Sequence, residues 1–247
     1  VCSSDLMTFY NFVEQYFLRL RIRQQFGTYL SPHMVKKLQD NPKLLSLGGV
    51  TKRLTFLFSD IRGFTPISEK YQSDPQGLTT LINRFLDNQT EIILKHGGTI
   101  DKYMGDCIMA FWGAPLDDEQ QVENVTKAII EMRISLEKLN EELNKEGLDQ
   151  INTGAGINTG LCVVGNFGSS SRFDYSVLGD SVNLAARLEP AAKQYGVYIL
   201  VGEKVYEASN DEFAFRFLDF LSVKGKEIPA KTYELIDRKD SIDKRSI

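Results

Sequence analysis

Two acidic residues stand where an apolar, strand-like segment gives way to a turn. Asp60 closes one such segment and precedes a turn that contains Gly63, and Asp106 follows the Met104-Gly105 turn between two short apolar runs. A strand fixes its backbone while the adjoining turn exposes carboxylate oxygens, the ligands that hard cations prefer. The two carboxylates therefore predict a site for a pair of Mg²⁺ or Mn²⁺ ions that act on a nucleoside triphosphate.

The segments that position these carboxylates predict an α+β fold. From Thr51 onward the patterns follow the order strand, helix, strand hairpin, long helix, strand. This is the order of a ferredoxin-like βαββαβ sheet, which we expect to carry its helices on one face and extra strands toward the C-terminus. The predicted strands cover residues 51–60, 99–112 (a hairpin), 151–164, 173–178, 197–201, 213–220 and 231–236, and the predicted helices cover residues 75–95, 119–146 and 180–194.

Ahead of this core, the sequence predicts a long N-terminal helix. Residues 8–26 show helical spacing of apolar side chains, and Pro32 suits the first turn of a short helix that extends to Leu38. The long helix has two interpretations: it packs on its own domain, or it forms a parallel dimer seam that relays a signal from upstream. Its apolar positions are Phe9, Phe12, Val13, Tyr16, Phe17 and Leu20.

Composition limits the classes of function. The 247 residues are 42% apolar and 25% charged, which is typical of a soluble globular domain. The net charge of -4, with dispersed basic residues, offers no polyanion-binding stripe, so we expect no nucleic-acid partner.

The cysteines and the apolar runs predict a cytoplasmic catalytic region. Cys2, Cys107 and Cys162 show no metal-ligand or disulfide-framework spacing and indicate buried thiols in a reducing compartment. No apolar run reaches the roughly 18 to 20 residues of a membrane span. Because the sequence begins at Val1 and not at methionine, we expect a fragment, which leaves room for an upstream membrane or sensor domain.

Four motifs in order carry a family resemblance. They are FSDIRGFT (58–65), DKYMGDCIMAFWG (101–113), GINTGLCVVGNFG (156–168) and YSVLGDSVNLAARLE (175–189), followed by VKGK (223–226). Over nearly all of residues 51–236 the chain resembles the class III nucleotidyl cyclase catalytic domain. The resemblance implies the nucleotidyl cyclase fold and a head-to-tail dimer with active sites at the subunit interface.

The resemblance also implies roles for the acidic residues and for the helix at 180–194. It assigns the metal ions to Asp60, Ile61 and Asp106. It assigns Asn183 to orienting the ribose and Arg187 to the charge that builds on the α-phosphate. Asn183 and Arg187 stand four residues apart, so both project from one helix face. Phosphoryl transfer is catalysed mostly by positioning and by neutralising charge on the phosphate oxygens.

Purine recognition falls to Lys102 and Ser176 in this resemblance. A lysine offers only donors, so Lys102 suits N1 of adenine and opposes the N1 hydrogen of guanine, where related guanylate cyclases carry Glu. Ser176 resembles a bacterial subgroup with Thr or Ser at this position; its hydroxyl can accept from the adenine amino group or donate to the guanine carbonyl. Lys224 matches the lysine that holds the terminal phosphates, with Lys226 as a nearby competitor.

The resulting hypothesis is a homodimeric adenylate cyclase that converts ATP to 3′,5′-cyclic AMP and pyrophosphate. One subunit would supply Asp60 and Asp106 to a site, and the other would supply Lys102, Asn183 and Arg187. The rivals are a guanylate cyclase, against which Lys102 argues, and a non-catalytic nucleotide-binding dimerisation module. We divide the chain into a signalling or dimerisation helix, a connector, a catalytic domain and a polar tail, at residues 1–30, 31–50, 51–237 and 238–247.

Overall fold

A computed structural model describes residues 3–27, 30–40, 49–169, 173–221 and 229–245 of the chain. The VKGK segment with Lys224 and Lys226, residues 41–48 of the predicted connector and residues 170–172 lie outside the described residues. None of the helices in the described ranges combines the length and the apolar character that a membrane span requires.

All the helices and strands that the sequence predicts are present, and their ends shift by a few residues. The helices are α1 (Ser3–Phe26), α2 (Pro32–Asp40), α3 (Phe64–Lys70), α4 (Pro75–Lys95), α5 (Gln121–Lys145), α6 (Asp180–Gln194), α7 (Glu203–Ser209) and α8 (Lys239–Arg245). The strands are β1 (Val50–Ile61), β2 (Thr99–Met104), β3 (Cys107–Trp112), β4 (Thr153–Gly168), β5 (Phe173–Leu178), β6 (Ile199–Gly202), β7 (Phe213–Leu221) and β8 (Ala230–Arg238). The short helices α3, α7 and α8 were not predicted.

The described strands form one sheet in the order β2-β3-β1-β4-β6-β8-β7, and β5 pairs with the far half of β4. The order of the first four strands is ferredoxin-like, which confirms the predicted fold class. Strand β1 lies at the centre and pairs antiparallel with β3 on one side and with β4 on the other. The last residues of β1 therefore sit beside the β2–β3 hairpin, which places the two predicted metal-binding segments together.

Helices cover both faces of the sheet: α4 and α5 of the ferredoxin-like order share one face, as predicted, and α6 covers the other. Leu57 and Ile61 of β1 pack with α4 and α5 on one face. Phe56 and Phe58 pack with α6 on the other face. Successive strand residues alternate between faces, and here both sets are apolar, so each face needs its own cover. Each fully buried side chain of this kind stabilises the fold by about 1.5–3 kcal/mol.

Helix α1 divides into a packed end and an exposed end. Ile22 and Phe26 are buried in a cluster with residues of α2, against which Tyr175 of β5 also packs. Toward the N-terminus, Phe9 and Phe12 are 66% and 68% exposed. Packing on its own domain therefore accounts for the last turns of α1 and leaves most of the apolar positions uncovered.

Candidate active site

Asp60 lies near the C-terminal end of β1, where Ile61 is the last strand residue. By strand alternation its side chain shares the α6 face with Phe58. The turn that follows places Gly63 in the left-handed region, with a φ of 71°, which a glycine adopts without strain. Within the described structure the buried Oδ1 of Asp60 has no hydrogen-bond partner. A buried carboxylate oxygen without a partner is unfavourable unless a cation or a donor compensates it.

Asp106 faces Asp60 from the tight turn between β2 and β3. Met104 pairs with Cys107 across the hairpin, so Gly105 and Asp106 form the turn itself. Burial, and then the negative charge of Asp60, raise the pKa of Asp106 to about 6, against opposing hydrogen bonds from the backbone. Two carboxyl groups that compete for ionisation in this way are close enough to share one cation.

Glu189 adds a third carboxyl group, which the sequence analysis missed. Burial, and then the charge of Asp60, raise the pKa of Glu189 to about 7. Its position depends on the close approach of α6 to β4: a Cβ atom at Gly156 would lie 2.4 Å from the backbone nitrogen of Glu189. The glycines at 154 and 156, within a strand, were the signal available in the sequence. We call Asp60, Asp106 and Glu189 the acidic cluster.

The acidic cluster suits a cation that also binds substrate oxygens. No group of three or more acidic, histidine or cysteine side chains in the described ranges is arranged to hold a metal ion by itself. Mg²⁺ commonly takes one or two carboxylates and completes its octahedron with water and phosphate oxygens. The unpartnered oxygen of Asp60 beside Asp106 fits that donor set. The side chain of Ile61 is buried in the core, so only its backbone is available to such a site.

A second polar group joins Lys102 to Ser176 through Asp101, a residue that the sequence analysis did not select. Ser176 Oγ donates to Asp101 Oδ2 at 2.6 Å. Lys102 Nζ lies 3.0 Å from Asp101 Oδ1. The side chain of Asp101 is fully buried, whereas that of Lys102 is 44% exposed. The structure therefore brings together the two residues expected to read the purine, and we call the three residues the base-reading group.

Asn183 and Arg187 lie on the exposed face of α6. The opposite face of this helix carries Val182, Ala185 and Leu188, which are buried against the sheet. In the described structure no hydrogen bond or ion pair joins Asn183 or Arg187 to the acidic cluster or to the base-reading group. Their side chains are therefore accessible to a ligand or to another molecule.

The histidines and cysteines named from the sequence either have structural surroundings or lie outside the described residues. Nε2 of His96, the residue that follows α4, lies 2.7 Å from Oε2 of Glu131 on α5, as a structural histidine would. The side chain of His33 is not among those described. Cys107 and Cys162 are free thiols whose pKa values burial raises to about 12 and about 11, so both remain protonated.

A family model matches most of the chain. Residues 50–237 match the model of the family described as Adenylate and Guanylate cyclase catalytic domain. The chain belongs to this family. The matched residues include the acidic cluster, the base-reading group and the exposed face of α6.

Individual relatives and solved structures bear cyclase names. An adenylate cyclase of Anabaena cylindrica is 38% identical over 75% of this chain and 37% of its own length. The crystal structure of the adenylyl cyclase CyaB from P. aeruginosa, 37% identical, matches 77% of this chain and 97% of that one with a TM-score of 0.71. The guanylyl cyclase Cya2, 32% identical, matches 78% of this chain and 96% of that one with a TM-score of 0.69.

The matched proteins differ from this chain in length and from one another in the cyclase activity that they are named for. The chain spans about a third of the length of the curated bacterial relatives from Rhizobium meliloti and Anabaena cylindrica. The fold is shared by a protein named for adenylyl and one named for guanylyl cyclisation, with nearly equal TM-scores. The preference for one purine therefore depends on side chains and not on the fold.

Proposed function

We propose that this chain is an adenylate cyclase domain that converts ATP to 3′,5′-cyclic AMP and pyrophosphate. The observation that carries the proposal is the base-reading group, in which Lys102 offers donors toward a purine while Ser176 stands beside it. A lysine at this position suits the unprotonated N1 of adenine and opposes the protonated N1 of guanine. Names of relatives that are 31% and 38% identical support the same substrate.

In the reaction the ribose 3′ oxygen attacks the α-phosphorus, its proton leaves and pyrophosphate departs. Asp60 and Asp106 would hold two Mg²⁺ or Mn²⁺ ions, with the backbone of Ile61 beside them. When bound, such ions lower the pKa of the attacking hydroxyl and neutralise the triphosphate. The protein's own part is to hold the two carboxylates at a fixed strand end. We assign the proton to solvent or to a phosphate oxygen, because no side chain among the described residues stands out as a base.

The exposed face of α6 completes the proposed site from a second copy of the chain. Arg187 would neutralise charge on the α-phosphate, and Asn183 would orient the ribose. Both side chains are exposed and are not linked to the acidic cluster of their own chain. A head-to-tail homodimer would bring them, together with Lys102 and Ser176, to the acidic cluster of the other subunit. Lys224 is proposed to hold the terminal phosphates.

Two measurements test the proposal: the cyclic nucleotide formed from ATP or from GTP, and the turnover of variants that lack a proposed metal-binding carboxylate. The unmodified chain, given ATP or GTP with Mg²⁺ or Mn²⁺, is expected to form cyclic AMP in preference to cyclic GMP. Asp60→Ala and Asp106→Ala are each expected to lower kcat by about a thousandfold or more, since a metal site supplies several kcal/mol of transition-state stabilisation.

A matched control is Asp87→Asn, which changes an exposed carboxylate on α4. It should leave turnover within about twofold of the unmodified chain, because surface substitutions seldom matter. Activity of Asp60→Ala or Asp106→Ala within about tenfold of the unmodified chain would contradict the two-metal mechanism. Preferential formation of cyclic GMP would contradict the substrate.

A further inference from the structure

We infer that Asp101 is a positioning residue that fixes Ser176 as a hydrogen-bond acceptor toward the purine and thereby sets the preference for adenine. The inference rests on the proposed function and extends it to a residue that does not itself touch the base. It depends on three features of the base-reading group: the direction of one hydrogen bond, a β-bulge, and the burial of the Asp101 carboxylate.

The direction of the hydrogen bond follows from its partners. An ionised carboxylate can only accept, so the 2.6 Å contact requires Ser176 to donate its single hydroxyl hydrogen to Asp101. The serine oxygen then presents only lone pairs to a ligand. A serine hydroxyl without such a neighbour could either donate to a ligand or accept from it. Because Ser176 donates its hydrogen to Asp101, it can only accept a hydrogen bond from a ligand.

The β-bulge explains why two consecutive residues serve one group. Ile100 pairs with Ala110 and Lys102 pairs with Met109, so Asp101 is an extra residue on β2. Side chains of neighbouring residues in a regular strand point to opposite faces, and a bulge allows them to converge. Asp101 thereby reaches Ser176 on β5 while it stays beside Lys102.

Burial makes the arrangement costly to rearrange. The side chain of Asp101 is fully buried and that of Ser176 nearly so. Lys102 Nζ lies 3.0 Å from Oδ1 of Asp101, yet that oxygen has no hydrogen bond in the described structure, so the contact is electrostatic. The ammonium hydrogens of Lys102 therefore remain available to a ligand, and its charge balances the buried carboxylate.

The two purines differ in what they present to this group. Adenine offers an amino hydrogen at position 6, which the lone pairs of Ser176 accept, and an unprotonated N1, which Lys102 binds. Guanine offers a carbonyl oxygen at position 6. That oxygen would meet the serine lone pairs, unless Ser176 gave up Asp101 and left a buried carboxylate without its donor. Asp101 therefore weakens the binding of guanine, because it holds the Ser176 hydroxyl as an acceptor.

The test compares ATP with purine riboside 5′-triphosphate, which keeps N1 and lacks the 6-amino group. Asp101→Asn retains the size of the side chain, but its amide can donate to Ser176 and release the serine hydrogen. We expect kcat/KM for ATP to fall about tenfold relative to kcat/KM for purine riboside triphosphate. The ratio of kcat/KM for GTP over ATP should rise by a similar factor. A merely structural role would lower kcat/KM for ATP and for the analogue equally.

Ser176 provides the matched controls. Ser176→Ala should lower the ratio of ATP over purine riboside triphosphate by about the same factor, and Asp101→Asn in the Ser176→Ala background should cause no further change. Ser176→Thr keeps the hydroxyl and should keep the ratio. These two Ser176 variants also decide the case should Asp101→Asn fail to fold: an unchanged ratio in Ser176→Ala would overturn the inference.

The outcomes separate this inference from the function on which it rests. If the unmodified chain forms no cyclic AMP, both the proposed function and the role of Asp101 are contradicted. An active chain in which Asp101→Asn leaves the ratio unchanged, or lowers kcat/KM for both substrates by one factor, would overturn the role of Asp101 alone. The role of Asp101 is supported if Asp101→Asn lowers the ratio of kcat/KM for ATP over purine riboside triphosphate and has no such effect in the Ser176→Ala background.

Discussion

At the scale of single residues, the acidic cluster places carboxyl groups close together, and backbone hydrogen bonds and the charges of Arg62 and Lys193 compensate their repulsion only in part. Burial and the charge of Asp60 raise the pKa of Asp106 to about 6 and that of Glu189 to about 7. A carboxyl whose pKa is raised by folding binds protons more tightly in the folded state. It therefore lowers the free energy of unfolding as pH rises from about 4 to about 7.

Asp60→Asn should make the metal-free protein more stable at pH 8, although it removes a proposed metal ligand. The substitution takes away the charge that opposes ionisation of Asp106 and Glu189, so the gain should appear at pH 8 and shrink toward pH 4.5. Thermal unfolding in EDTA at the two pH values measures it, with Asp87→Asn as the control. An equal change in Tm at both pH values would contradict the charge argument.

The sequence selected the residues whose chemistry is visible in their type and spacing, and it missed two that depend on geometry. Asp60, Asp106, Lys102 and Ser176 were named from motifs. Asp101 takes part only because a bulge turns it toward β5, and no periodicity in the sequence predicts that bulge. Glu189 takes part only because α6 approaches the sheet closely.

At the scale of elements, long periodic segments were predicted and short ones were not. Helices α4 and α5 carry several turns of apolar spacing, whereas α3, α7 and α8 have seven residues each, too few for a repeat to be recognised. The placement of α6 on the second face was not predicted, because the ferredoxin-like order of elements places only α4 and α5.

The exposed end of α1 gives a prediction at this scale. Phe12 and Tyr16 are 68% and 54% exposed, one helical turn apart. Exposed apolar side chains at helical spacing are stabilised when a partner helix covers them. We expect the double substitution Phe12→Ser and Tyr16→Ser to weaken self-association of the chain at least tenfold while the packed cluster around Ile22 and Phe26 keeps the domain folded.

Sedimentation equilibrium and specific activity should be measured over one range of protein concentration. Glu14→Gln, an exposed polar position on the side of α1 opposite Phe12 and Tyr16, is the matched control and should leave association unchanged. If the double variant associates as strongly as the control, the exposed end of α1 does not couple subunits.

At the scale of the whole molecule, one chain presents the parts of the proposed reaction on separate surfaces. The acidic cluster lies at the end of β1, and Asn183 and Arg187 lie on the outer face of α6. Within the described structure no hydrogen bond or ion pair connects them. A two-fold dimer would create two equivalent composite sites, each built from the acidic cluster of one subunit and the α6 face of the other.

Mixing two inactive variants tests this arrangement. In a dimer of Asp60→Ala with Arg187→Ala, one composite site carries both defects and the other carries neither. Random exchange in an equal mixture makes about half of the dimers mixed, so activity should return to about a quarter of that of the unmodified chain. A mixture of Asp60→Ala with Asp106→Ala is the control, because every site then keeps one defect and no activity should return. Absence of rescue in a mixture shown to exchange subunits would mean that each site is built within one chain.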